Sequence, residues 1–232
     1  MLGIKSLVYS ANVSLEEEEE EITGKSLFLM LALSLIIGVG LFFVAPLFLT
    51  KLANPYLGSS LVFHIIEGII RIIIFVAYIW VISLMPDIKQ VFRYHGAEHK
   101  AVNAYEAGVP LEVEPVKAYG TAHMRCGTSF LFAVLVIAIL LFAVIGRHDL
   151  WLMVLIRIIL IPVIAALGYE VIYFGGKHHD NRLVRAILAP GMWLQSMTTR
   201  EPDDRQIEVA LTALRKAVEI DSEAEPAAQP AP

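Results

Sequence analysis

Four stretches of the chain, 26–49, 61–85, 129–145 and 150–174, are apolar over a length that matches or approaches the roughly 20 helical residues needed to cross a hydrocarbon core. The third is the shortest, and only Gly146, Arg147, His148 and Asp149 separate it from the fourth, so the pattern predicts a transmembrane hairpin. Between the second and third stretches the polarity rises. Residues 86–108 have the composition of a helix that leaves the membrane, with an interruption predicted at Gly96 and an end at Gly108 and Pro110. Residues 183–197 are apolar, carry Arg182 and Arg185 at their start and a Pro190-Gly191 break, and are predicted to lie in the interface. Residues 203–218 repeat apolar positions at helical spacing (Ile207, Ala210, Leu211, Leu214, Val218), with Asp203 and Asp204 at the positive helix end and Arg215 and Lys216 at the other.

The pattern therefore predicts an all-α polytopic membrane protein. It has an acidic segment at 1–25, a four-helix transmembrane domain at 26–200 that includes a central loop at 86–128, an amphipathic helix at 201–219, and a disordered Ala-, Pro- and Glu-rich tail at 220–232. Composition agrees: 57% of the 232 residues are apolar and the mean hydropathy is +0.66. Basic residues assign the sides. Lys89, Arg93, Lys100, Lys117 and Arg125 lie in the central loop and seven more follow the fourth stretch, against Lys51 and Arg147 in the two opposite connections. Both termini and the loop are thus expected on the cytoplasmic side of the cell membrane.

Much of the acidic excess behind the net charge of -5 sits in Glu16 to Glu21, and no basic nucleic-acid footprint exists. The first apolar stretch is short and runs into that Glu run, which is not the form of a cleaved signal peptide. Cys126 is the lone cysteine, so no intrachain disulfide can form.

The chemistry gathers in the central loop. Tyr94-His95-Gly96-Ala97-Glu98-His99-Lys100 places two imidazoles four residues apart, on one helical face, in an H-x-x-E-H pattern. In inverted zinc peptidases the carboxylate between such histidines is the general base and the histidines bind the metal. His123, Arg125 and Cys126 enter the membrane at the same level, and a thiolate beside two imidazoles makes a good zinc shell. Hydrogen bonds to loop carbonyls are the plainer reading of the same histidines. Cys126 at a helix N-terminus also admits a nucleophile reading. Glu170, about 12 Å inward from His178, is expected to face the bundle and meet a tyrosine, Arg125 or a metal. Nearer the opposite face, His64, Glu67 and Arg71 share one side of the second span and Arg157 lies at matching depth; the prediction is an ion pair from Glu67 to Arg157 or Arg71, with a polar cavity as the alternative.

Taken together, Tyr94 to Lys100, Arg125-Cys126-Gly127-Thr128-Ser129-Phe130, Ala189-Pro190-Gly191-Met192-Trp193-Leu194-Gln195 and Thr198-Thr199-Arg200-Glu201-Pro202-Asp203-Asp204 resemble the YqhQ family of bacterial membrane proteins. That resemblance covers the chain to about Val218. It implies a protein of the kind labelled predicted metal-dependent enzyme and points to His95, Glu98, His99, His123 and Cys126. Relatives in that family start with a Gly-rich segment that has no counterpart here, which predicts a short member or a displaced start.

Two functions follow as expectations. One is a metal-dependent membrane enzyme, hydrolytic, with zinc on His95, His99 and Cys126, Glu98 as base, and a lipid-linked or peptide substrate. The other is a non-enzymatic biogenesis factor, an intramembrane chaperone or translocon accessory, whose polar groove holds a membrane-protein client while the acidic run or the C-terminal helix contacts a cytoplasmic protein. A transporter is the third option, disfavoured by four spans without a repeat.

Overall fold

The computed structural model describes residues 8–10, 12–13, 24–53, 58–146, 148–178 and 180–224; most of the acidic segment, Arg147, His179 and the end of the tail lie outside them. Among the described residues every regular element is helical. The first span is α1 (Gly24–Val39), a π-helical turn (Gly40–Val44) and α2 (Ala45–Leu52). There follow α3 (Ser60–Ile82), α4 (Pro86–Glu106), α5 (Val113–Lys117), α6 (Gly127–Ile145), α7 (Leu150–Lys177), α8 (Arg182–Thr198) and α9 (Asp204–Ala224). Among the described residues, four helical stretches are long and apolar enough to cross a membrane: Lys25–Leu52, Ser60–Ile82, Gly127–Ile145 and Trp151–Lys177.

These spans differ in what they bury. α1 presents Phe28, Leu35 and Ile36 outward, which is stable only where the solvent is lipid. α3 instead buries a stripe of Phe63, His64, Glu67, Arg71, Phe75 and Ile79 at three- and four-residue spacing. Phe75, Ile79 and Leu194 join α3 to α8, with Phe42 of the π turn edge-on to Phe75 at 5.8 Å. Ala138 and Phe142 pack on Ile164 across the predicted hairpin of α6 and α7. That hairpin closes at Gly146, whose φ of +83° suits glycine.

Outside the spans, α4 and α9 form a small-residue interface. Ala97, Ala101 and Ala104 allow close approach to Ile207 and Leu211, and Val116 of α5 completes the cluster. α9 is fixed at its start by a reciprocal cap: Asp203 Oδ1 accepts from the Gln206 N–H and Gln206 Oε1 accepts from the Asp203 N–H, each at 2.9 Å.

Three boundaries differ from the sequence reading. α4 runs through Gly96 without interruption, and the missing side chain there makes room for a close contact: a Cβ would meet the Arg200 carbonyl oxygen at 2.1 Å. α8 likewise continues through Pro190-Gly191; the proline ring faces outward and Gly191 lies against Ser129 of α6. α9 extends to Ala224, past the expected end, so Arg215 and Lys216 are interior positions; Arg215 donates to the Leu111 carbonyl and Lys216 pairs with Glu219 at 2.8 Å.

Candidate metal centre

One face of α4 reads the backbone of the segment that leads into α6. Lys100 is 4% exposed; its Nζ donates to the carbonyls of Lys117 (2.9 Å) and Tyr119 (2.7 Å) and pairs with Glu201 at 2.7 Å. Asn103 Nδ2 donates to the carbonyls of Gly120 and Ala122, each at 3.0 Å. The segment has no regular partner of its own, so these bonds satisfy carbonyls that would otherwise be orphaned. They also hold it along the helix that carries the histidines.

Both histidines are aimed by the same device. His99 Nδ1–H donates to the Thr121 carbonyl at 2.6 Å, and His95 Nδ1–H donates to the Thr198 carbonyl at 2.9 Å. Each bond puts a proton on Nδ1, so that in the neutral ring Nε2 carries the lone pair of a metal-ligating imidazole with a carbonyl behind it, whereas in the imidazolium Nε2–H donates to the Cys126 thiolate. The rings stand 4.4 Å apart, centroid to centroid.

Cys126 meets them from α6. It is the N-cap of that helix, 3% exposed, and its Sγ lies 3.4 Å from His95 Nε2 and accepts from the Thr128 N–H at 3.3 Å. Burial opposes ionisation of the thiol, but hydrogen bonds from His95, then His99, then the Thr128 N–H outweigh it and bring the pKa down to about 5. The reciprocal effect raises the His95 pKa, chiefly through the bond to Cys126, against burial. One donor atom from each of His95, His99 and Cys126 lies within 4.8 Å of the others, so the three form a group that could hold a metal ion. Two imidazoles and one thiolate leave a fourth tetrahedral position open.

The remaining candidates divide around this group. His123 stacks obliquely near His99, with ring centroids 5.8 Å apart, but its Nε2 faces Glu106 at 3.3 Å and its Nδ1 accepts from the Arg125 N–H, so it stands beside the trio rather than in it. Arg125 pairs with Glu106. Glu98 is exposed, about 100° round α4 from His99, and lines an open groove against α9, although its charge contributes to the raised His95 pKa. Glu170, expected to turn inward, is instead exposed on α7, where it lines an apolar groove with Ile187 and Leu188 of α8.

Nearer the other end of the bundle, Glu67 Oε1 binds Arg71 Nη2 at 2.6 Å and Glu67 Oε2 binds Arg157 Nη2 at 2.7 Å, with His64 Nδ1 3.4 Å from the same carboxylate. Both proposed partners are engaged at once. This layer ties α3 to α7.

Gln195 is the residue that the spacing argument missed. It is fully buried on α8; its Nε2 donates to the His123 carbonyl (2.8 Å) and Ser129 Oγ (2.6 Å), and its Oε1 accepts from the His123 N–H at 3.0 Å. A lone amide in an apolar helix is the available signal, since such a group must find partners when buried.

Fold and site together define a polytopic helical membrane protein with a His-His-Cys group at one end of its bundle, built from α4 and the start of α6. The chain belongs to the family described as protein of unknown function, DUF1385, which matches residues 1–220. It is 35% identical over 217 residues to the uncharacterized protein YqhQ of Bacillus subtilis (strain 168), an alignment that covers 92% of this chain and 68% of that one. No solved structure matches it.

Proposed function

We propose that the protein is a membrane-embedded metal-dependent enzyme of hydrolytic type, with a zinc ion on His95, His99 and Cys126. The observation that carries this reading is the pair of Nδ1–H bonds to the Thr121 and Thr198 carbonyls, which present two Nε2 lone pairs to a sulfur that ionises readily. A zinc ion there would act as a Lewis acid toward a carbonyl or phosphoryl oxygen and toward water. The H-x-x-E-H pattern gives Glu98 the proton-accepting role, which requires its carboxylate to turn from the groove against α9 toward the metal position. The distribution of Lys and Arg supports a cytoplasmic position for this site and for both termini, and a site at the membrane surface suits a lipid-linked substrate or a membrane-protein segment.

Metal analysis of the purified full-length protein tests this. The expected result is about one equivalent of zinc, falling below a tenth in His95→Ala and His99→Ala; a metal-free protein, or His95→Ala with full metal, overturns it.

A second reading, an intramembrane chaperone or translocon accessory, is supported by the apolar groove of about 470 Å³ between α7 and α8, with Glu170 at its rim. Photocrosslinkers at Ile187 separate the two. Capture of nascent membrane segments favours the chaperone, and retention of function in His99→Ala would favour it further.

A further inference from the structure

The buried layer between α3 and α7 is not neutral by its own count. Two guanidinium groups, Arg71 and Arg157, share one carboxylate, Glu67, and none of the three side chains is more than 5% exposed. Arg157 Nη1, Arg71 Nε and His64 Nε2 have no hydrogen-bond partner among the described residues. Ring faces help only in part: Phe142 lies 5.1 Å from the Arg157 guanidinium carbon and Phe43 lies 5.5 Å from that of Arg71. A surplus positive charge with unused N–H groups inside a span calls for an anion.

A cavity borders this layer. Arg157 forms part of the wall of a cavity of about 470 Å³ between the first span and α7, a size typical of small-molecule sites. The other walls include Phe43, Val44, Leu47, Val154 and Ile158, and the second cation is Lys51; no carboxylate lines it. Lys51 lies in the last turn of α2, at the end of the bundle where α7 begins, so a headgroup arriving from that face passes Lys51 before Arg157.

We propose that this cavity binds an amphiphile with one anionic headgroup, a carboxylate or a phosphate on an acyl chain. The chain lies along the apolar wall of the first span and α7, and the headgroup takes the free N–H of Arg157 and neutralises the Arg71–Glu67–Arg157 layer. The site stands at the opposite end of the bundle from the His-His-Cys group and does not depend on it.

Matched probes test the proposal on the full-length protein in a neutral detergent: dodecyl phosphate, dodecanoate, dodecanol and inorganic phosphate, each followed by calorimetry. The two anionic amphiphiles are expected to bind at least tenfold more tightly than dodecanol, their ranking naming the headgroup, with no detectable binding of inorganic phosphate. Val154→Glu, on the cavity wall about one turn before Arg157, supplies a counter-ion within the cavity and is expected to erase the preference; Ile158→Trp fills the cavity and weakens all three chains. Equal binding of dodecanol, binding of inorganic phosphate as tight as that of dodecyl phosphate, no binding by any probe, or an unchanged preference in Val154→Glu would each overturn it.

Discussion

Gly96→Ala is a one-methyl change whose consequence reaches the metal group through the backbone. The new Cβ would sit 2.1 Å from the Arg200 carbonyl oxygen and 3.3 Å from Thr121 Cγ2. The carbonyl belongs to the backbone, so it must retreat by about 1 Å or more to reach ordinary contact. Arg200 cannot move alone, because its N–H donates to the Phe92 carbonyl at 2.9 Å and Thr198, two residues back, accepts from His95. Alanine in place of a mid-helix glycine gains about 1 kcal/mol in propensity. Overpacking costs about 1–3 kcal/mol and the strained Arg200 bond about 1 kcal/mol more, so the net loss is about 1–3 kcal/mol. Thermal unfolding in detergent should show a midpoint lowered by several degrees, and metal content should fall with it as His95 loses its support. Gly38→Ala, where nothing lies within 4 Å of the new methyl, is the control and should be neutral or slightly stabilising. A Gly96→Ala protein that unfolds no lower than wild type and keeps its metal would refute the reasoning.

Other outcomes follow from the same contacts. In chelated protein, alkylation of Cys126 by iodoacetamide should level off above about pH 6 instead of climbing toward pH 9, because the thiol pKa is about 5, and His95→Ala should move the inflection upward. Since that pKa lies below its unfolded value, the stability supplied by the thiolate is complete above about pH 9 and is lost as the pH falls through 5; the difference between chelated wild type and Cys126→Ala in urea unfolding should shrink over that range. Glu67→Gln leaves two buried guanidiniums without their carboxylate and should destabilise by about 3–5 kcal/mol in thermal unfolding, whereas Lys216→Ala, at an exposed pair, should not shift the midpoint. Gln195→Leu removes three hydrogen bonds around His123 and Ser129 and should cost about 2–4 kcal/mol, with a parallel loss of metal.

The spans were legible because a bilayer imposes a length and a polarity on any helix that crosses it, and the ion pairs of Glu67 were legible because a carboxylate at that depth must find a cation. His95 and His99 could be placed on one face from spacing alone. What spacing could not supply was tertiary approach. Gly96 and Gly191 read as breaks in one dimension and prove to be points where a second element comes too close for a side chain. Glu170 read as inward because a buried carboxylate is costly, yet that argument does not say which face of α7 the neighbouring α8 covers. The carbonyls of Thr121 and Thr198, which aim both imidazoles, carry no signature at all, since every residue has one.

The proposed function stands or falls on whether two imidazoles and one thiolate share a zinc ion. X-ray absorption at the zinc edge of the purified full-length protein tests it most directly. One sulfur at about 2.3 Å and three nitrogen or oxygen neighbours at about 2.0 Å are expected, with the sulfur lost in Cys126→Ala. A shell of nitrogen and oxygen only in the wild-type protein, or a sulfur contribution that survives Cys126→Ala, would contradict it.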